Sequence, residues 1–327
     1  MNAMNAGKTS AAVPGRLRTV LQNRALQMLV IVILVWIVAG LSSRGFASFG
    51  HLRYLLELAA VIGLVAAGQT LVVIAGGIDL SVGAIVTVSA ISLPLLSGAG
   101  DATGLVGLLA TLAVATAIGL VNGVGVSALR VHPMIMTLAM ATFLQGALIL
   151  VAGGTAVSAH NPVVEWLGSG RLGGIPAGIL LWLVVSGATL ALLHATPLGA
   201  RIFALGANPL ATLLSGVSVP GTTMLIYAVS GFTAGLAGIV VLGMNGQGYV
   251  GIGDPYLLAS IAAVVLGGTS VLGGRGSYAG TIPGAILLVT VTALITVVNA
   301  SPGWRNILFG GLILGLLLLS GRERARR

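Results

Sequence analysis

Residues 58–100 read LAAVIGLVAAGQTLVVIAGGIDLSVGAIVTVSAISLPLLSGAG, a stretch whose single charged residue is Asp79. A helix needs about 20 apolar residues, at 1.5 Å each, to cross the hydrocarbon core of a bilayer. The runs on either side of Asp79 both reach that length. Outward from here the pattern fills the chain, because no Lys, Arg, Asp or Glu occurs at 25–43, 102–129, 131–164, 172–200, 202–253, 255–274, 276–304 or 306–321. Of the 327 residues, 57% are hydrophobic and 6% charged, against about 25% charged in soluble domains. A solvated surface cannot be built from this composition. The fold class is all-α, a polytopic membrane protein. A β-barrel would show short alternating segments, whereas these runs are continuously apolar.

Ten transmembrane helices are expected, near 25–43, 54–76, 80–97, 105–128, 134–153, 176–195, 222–243, 256–273, 279–298 and 304–320. With the N-terminus inside, Lys8, Arg16, Arg18, Arg24, Arg130, Arg201, Arg275, Arg322, Arg324, Arg326 and Arg327 face the cytoplasm, and Arg44, Arg53, Arg171 and Arg305 face out. This satisfies the positive-inside bias, and an even number of spans places both termini in the cytoplasm. The chain then divides into a basic segment at 1–24, one transmembrane domain at 25–320 and a basic tail at 321–327. The net charge of +9 does not indicate nucleic acid, because the basic residues are scattered at the ends of apolar runs. There is no cysteine, so disulfides and thiolate metal sites are excluded.

Glu57 and Asp79 bracket one span. They sit either at opposite interfaces or, at a cost of about 2.5–3.5 kcal/mol for a mid-helix aspartate, within the bilayer as a proton relay. Gly119/Gly123, Gly231/Gly235, Gly280/Gly284 and Gly311/Gly315 are small pairs that allow close helix approach. Val72 to Gly77 (VVIAGG) and Val264 to Gly268 (VVLGG) echo one another, as two related half-bundles or as apolar low complexity.

Catalytic constellations are absent from the sequence. His51, His132, His160 and His194 are isolated, with no zinc spacing. Gly7-Lys8-Thr9 imitates the end of a phosphate loop, but its first glycine would fall on Asn2. The match of 246–251 to G-x-G-x-x-G follows a membrane helix instead of opening one after a strand. No enzyme, cofactor or metal is expected.

The cytoplasmic segment 196–218 is too polar to span and too patterned for a linker. Apolar Ile202, Leu205, Leu210, Leu213 and Leu214 suggest two short amphipathic helices broken at Gly206 to Pro209 and lying on the membrane surface. This segment, together with GQTLVVIAGGIDLSVG at 68–83 and IAAVVLGGTSVLGGRGSYAGT at 261–281, resembles the permease subunits of ribose-type ABC importers. The resemblance covers nearly the whole chain. It implies the ABC importer permease fold, a separate cytoplasmic ABC ATPase, a periplasmic or lipid-anchored solute-binding protein, a second permease subunit and a bacterial inner-membrane location. It also implies import of a monosaccharide or similar small polyol.

The resemblance makes 196–218 the region that couples to the ATPase. The matching positions are Thr196, Gly199, Ala204, Gly206, Asn208, Ala211, Ser215 and Gly216. Arg201 stands one place later than the family's basic residue, and Leu213 occupies a second basic position. Tyr256-Leu257-Leu258-Ala259 stands where relatives often show Tyr-Glu-Leu-Asp. The expected coupling residues are Thr196, Gly199, Arg201, Phe203, Gly206 and Asn208.

A neutral polyol needs hydroxyl-pairing groups without fixed charge, which points to the amides Gln69, Asn122, Gln145 and Asn245 along the pathway. Each amide has the alternative of satisfying a neighbouring helix. Arg171 and Arg305 are expected to receive carboxylates of the binding protein. The rival reading is an ion-coupled secondary transporter, for which Glu57 and Asp79 are the available carboxylates.

Overall fold

The computed structural model describes residues 24–42, 45–97, 101–158, 161–297 and, near the C-terminus, 301, 303, 304, 306–311, 314 and 315. The helices are α1 (Arg24–Ser42), α2 (Phe49–Ile74), α3 (Val82–Leu96), α4 (Asp101–Ser127), α5 (Pro133–Ala152), α6 (Pro162–Ser169), α7 (Ala177–Ala195), α8 (Pro197–Ala207), α9 (Pro209–Leu214), α10 (Val219–Asn245), α11 (Asp254–Leu266) and α12 (Tyr278–Val297). Among the described residues seven helices, α1, α2, α4, α5, α7, α10 and α12, are long and apolar enough to cross a membrane. The expected spans at 80–97 and 256–273 are the shorter α3 and α11, of 15 and 13 residues. The expected span at 304–320 is described only in part, at 304, 306–311, 314 and 315, all of them helical. The expected segments at 1–24 and 321–327 also lie outside them, apart from Arg24.

Glycine pairs stop α2 and α11 early. At Gly76 the backbone turns left-handed, with φ +86°, and the Gly76 and Gly77 N–H groups return to the carbonyls of Val73 and Val72 at 3.0 and 2.9 Å. At Gly268, φ +88°, the N–H groups of Gly268 and Thr269 return to Val265 and Val264 at 3.0 and 3.2 Å. Both are glycine stops in which two orphan carbonyls are satisfied by residues just past the helix. The sequence echo is therefore the same hydrogen-bonded ending made twice.

The two short helices begin close together. Gly253, just before α11, donates its N–H to Thr87 Oγ1 of α3 at 3.0 Å, and a methyl on Gly83 would lie 3.0 Å from the Gly253 carbonyl. From there α3 runs along α10, with Val86 against Gly238, and Ala90 meets Gly248 just beyond the end of α10. α11 runs along α12, with Ala263 against Gly284 and Gly267 against Gly280. These neighbours carry the two helices to opposite ends of the bundle.

α2 is the axis of this arrangement. In its apolar window 89% of residues are buried, against 11% for α1 and 22% for α5, and α7, α10, α11 and α12 surround it. Residues Ala59, Gly63, Ala66 and Thr70 are all enclosed. Gly119 and Gly123 of α4 meet Tyr227, Gly231 and Met224 of α10, so two of the expected small pairs face one another and a third, Gly280/Gly284, seats α11. Among the described residues nothing comes within 4 Å of a carbon added at Gly311 or Gly315. Without a hydrophobic drive between helices in lipid, such close approach supplies the packing energy.

Polar bonds fix the register around α2. Tyr278 donates its hydroxyl to the Gly63 carbonyl at 2.8 Å and accepts from Trp182 Nε1 at 2.8 Å. Tyr278→Phe leaves the buried indole N–H without its acceptor, a loss of about 1–3 kcal/mol. A lowered thermal midpoint of the purified protein in detergent is the expected result, and an unchanged midpoint would show that the indole finds another acceptor.

Candidate functional site: the joint at the inner end

Two caps shape the segment that follows α7. Thr196 accepts the Gly199 N–H at 3.3 Å and donates to Leu192 at 2.7 Å, and Pro197 opens α8. Asn208 accepts the Ala211 N–H at 3.0 Å, and Pro209 opens α9. A capping oxygen followed by proline at the first helical position is a helix start in both places. The expected helix pair broken at 206–209 is therefore present.

Its inner face enters the protein. Ile202 and Leu205 are buried in a cluster with Leu71, Ile74, Leu193 and Ile226. Gly199 rests on the carbonyls of Leu192 and Leu193. Gly206 rests on the Ile74 carbonyl and the Gly274 nitrogen, while Gly274 itself donates to that same carbonyl at 2.8 Å. Thr70 and Thr281 meet hydroxyl to hydroxyl at 3.2 Å. All three quoted motifs thus converge on the end of α2.

The outer face of the segment stays open. Arg201, Thr196 and Asn208 are exposed, and the half-buried Phe203 ring lies 6.3 Å from His194. In the second helix Leu210, Leu213 and Leu214 are 65, 54 and 80% exposed. α9 packs only lightly on the chain and presents these leucines outward.

Charge sorts to the two ends. Arg201 and Arg275 flank the joint, Arg24 lies against Gly268, and Arg130 follows α4 at the end where Gly123 meets Met224, near the start of α10. At the opposite end Arg53 pairs with Glu57 at 4.0 Å, and Arg171 is exposed on the hairpin formed by β2 (Arg171–Leu172) and β3 (Ile175–Pro176), after β1 (Val157–Ser158) in chain order. Arg44 and Arg305 lie outside the described residues. The 246–251 glycine pattern contributes β4 (Gln247–Gly248), which pairs with β1.

The structure separates the four amides. Gln69 is fully buried on α2 with neither amide atom paired, and Asn122 is fully buried on α4, where Nδ2 donates to Ser81 Oγ at 2.8 Å. Gln145 lies on the exposed face of α5, and the exposed Asn245 donates to the Val241 carbonyl at 2.8 Å. Asn122 belongs to a cluster that sequence reading did not assemble. Asp79, fully buried, accepts from the Ser81 N–H and hydroxyl at 2.9 and 2.6 Å and from the Ser230 hydroxyl at 2.9 Å. The signal was the Asp-x-Ser following the Gly-Gly stop, but Ser230, 151 positions away, carried none. Among the described residues no group of His, Cys, Asp and Glu is arranged to hold a metal ion.

A bundle of apolar helices with two interrupted members and a capped, glycine-seated segment at one end has the form of a membrane transport permease. The chain belongs to the family described as the permease component of the branched-chain amino acid transport system, which it matches over residues 52–317. It is 34% identical over 301 residues to the ribose import permease protein of Escherichia coli strain K12, covering 91% of this chain and 93% of that one. It is 32% identical over 275 residues to the ribose import permease protein of Bacillus subtilis strain 168, covering 83 and 84%. With the fructose import permease protein of Rhizobium meliloti it shares 29% over 296 residues, covering 88 and 82%. No solved structure matches the chain.

Proposed function

We propose that this chain is the permease subunit of an ATP-driven importer of a monosaccharide or similar small polyol. A cytoplasmic ABC ATPase seats on α8 and α9, and an external binding protein delivers the solute at the opposite end. The joint of Gly206 with Ile74 and Gly274 carries the reading, because it links an exposed, patterned segment directly to the central helix. The substrate class rests on the ribose and fructose import named for its relatives. The outward leucines of α9 and Arg201 offer an apolar and basic seat for the ATPase, and Arg171 offers a docking charge for the binding protein. With Arg201 and Arg275 on the cytoplasmic side and an even number of spans, both termini are cytoplasmic, and the inner-membrane location follows from the import permeases the chain is similar to.

Import arises from two conformations whose populations the ATPase biases. A second permease subunit completes the pathway, with Gln145 and Asn245 facing it and Gln69 and Asn122 exposed to it as the bundle opens. Reconstitution with the ATPase and binding protein tests the reading. Labelled sugar uptake is expected to require ATP and to persist when the proton and sodium gradients are collapsed. Dependence on a gradient instead of ATP would replace it with the ion-coupled alternative.

A further inference from the structure

Asp79 is a carboxylate with no exposure, in a chain whose interior is otherwise almost free of charge. Among the described residues no cation pairs with it. Burying an unpaired carboxylate is costly unless hydrogen bonds hold it. Here two oxygens receive three donors, from Ser81 twice and from Ser230 once. The adjoining residues are held as well. Ser81 Oγ accepts from Asn122 of α4 at 2.8 Å, and the Leu80 N–H donates to Thr137 Oγ1 of α5 at 3.0 Å. The short connection between α2 and α3 is thus fastened by side chains to α4, α5 and α10. A plain connector would need none of these bonds.

The same connection has a second fixed point. Ile74, at the end of α2, accepts the Gly274 N–H and abuts Gly206 of α8. Between Ile74 and Asp79 stand Gly76, in a left-handed conformation, and Gly77. Two anchors are therefore joined by a glycine pair, one anchor at the coupling segment and the other at the interior start of α3.

We propose that the Asp79 carboxylate is a positioning group for transport, holding the α2 to α3 connection onto α10 and α4 so that a displacement of α8 at Gly206 is delivered to the start of α3. This rests on the reading of α8 and α9 as the seat of the ATPase. With the Asp79 clamp released, the glycine pair absorbs the displacement and ATP is hydrolysed without import.

Ser230→Ala removes the bond to α10 alone, and Asp79→Asn keeps the shape of the side chain while removing its charge. In the complete transporter each is expected to lower the sugar imported per ATP hydrolysed by about tenfold, the scale of one charge-assisted hydrogen bond. The double variant is expected to lose no more than Asp79→Asn alone, since the bond that Ser230→Ala removes is one of the three that Asp79→Asn weakens, and Ser230→Thr is expected to restore the ratio. In the purified permease alone, hydrogen exchange at 76–83 is expected to speed up in Ser230→Ala while 59–70 stays protected. A parent that does not couple ATP to uptake would remove the proposed function. Unchanged exchange would remove the clamp, and faster exchange with a normal import ratio would show that the clamp transmits nothing. Multiplying losses in the double variant would equally overturn the proposal.

Discussion

Gly206→Leu is expected to abolish uptake, by about a hundredfold or more, while the protein still inserts and accumulates. The first carbon added at Gly206 would overlap the Ile74 carbonyl and the Gly274 nitrogen. Both are backbone atoms, so no rotamer change clears the space, and overpacking in a tight contact costs about 1–3 kcal/mol or more. The cheapest response is for α8 to lift off the end of α2, because its outer face is free and its caps at Thr196 and Asn208 survive the change. A lifted α8 would still offer Arg201 and the α9 leucines to the ATPase, yet would no longer push on α2. Binding-protein-stimulated hydrolysis and sugar uptake, measured side by side in vesicles, should therefore part company. Normal uptake in this variant would mean that transmission runs elsewhere.

Gly119→Leu is expected to prevent folding. At this crossing of α4 and α10 a side chain would strike the Tyr227 carbonyl, and Gly231 would likewise strike the Ala115 carbonyl. The two backbones are in contact through paired glycines, so one bulky residue separates the helices over several turns and withdraws the packing that holds α10 against α2, α3 and α4. Gly146→Leu on α5 and Gly187→Leu on α7 are the controls, since among the described residues no packing neighbour lies within 4 Å of a carbon added at either. Size-exclusion profiles of fluorescent fusions in mild detergent should show a folded peak for the controls and none for Gly119→Leu. A normal peak for Gly119→Leu would show that the crossing is loose.

The charge-free intervals located the long helices because charge at the bilayer centre is costly, and their bounds differ from the observed ones by a few residues, as in 54–76 against Phe49–Ile74. Hydropathy could not separate a crossing helix from an interrupted one. Val271 and Leu272 extend the apolar run past Gly267-Gly268, so 256–273 looked like a span although the glycine stop ends α11 at Leu266. The caps of α8 and α9 were legible, since Thr-Pro and Asn-Pro are local signals. What the outward leucines of α9 meet is not legible from spacing, because leucines at helical spacing read the same whether they lie on lipid or await a protein partner. Asp79 was visible as a lone carboxylate and its Ser81 donors were foreshadowed by the Asp-x-Ser, but the bonds that tie this connection to α4, α5 and α10 leave no local trace.

The enclosure of α2 has a consequence for how the protein is made. This helix precedes most of its neighbours in the chain, and α7, α10, α11 and α12 are encoded more than a hundred residues later. Helices in lipid first insert and then associate. Through most of synthesis, then, Gln69 and Thr70 must face lipid, the insertion machinery or a temporary partner, and the first two helices cannot settle until the last have arrived. Long-range contacts of this kind slow assembly and lengthen the life of half-built intermediates. Truncated nascent chains ending before 219 should consequently be prime substrates for membrane quality control.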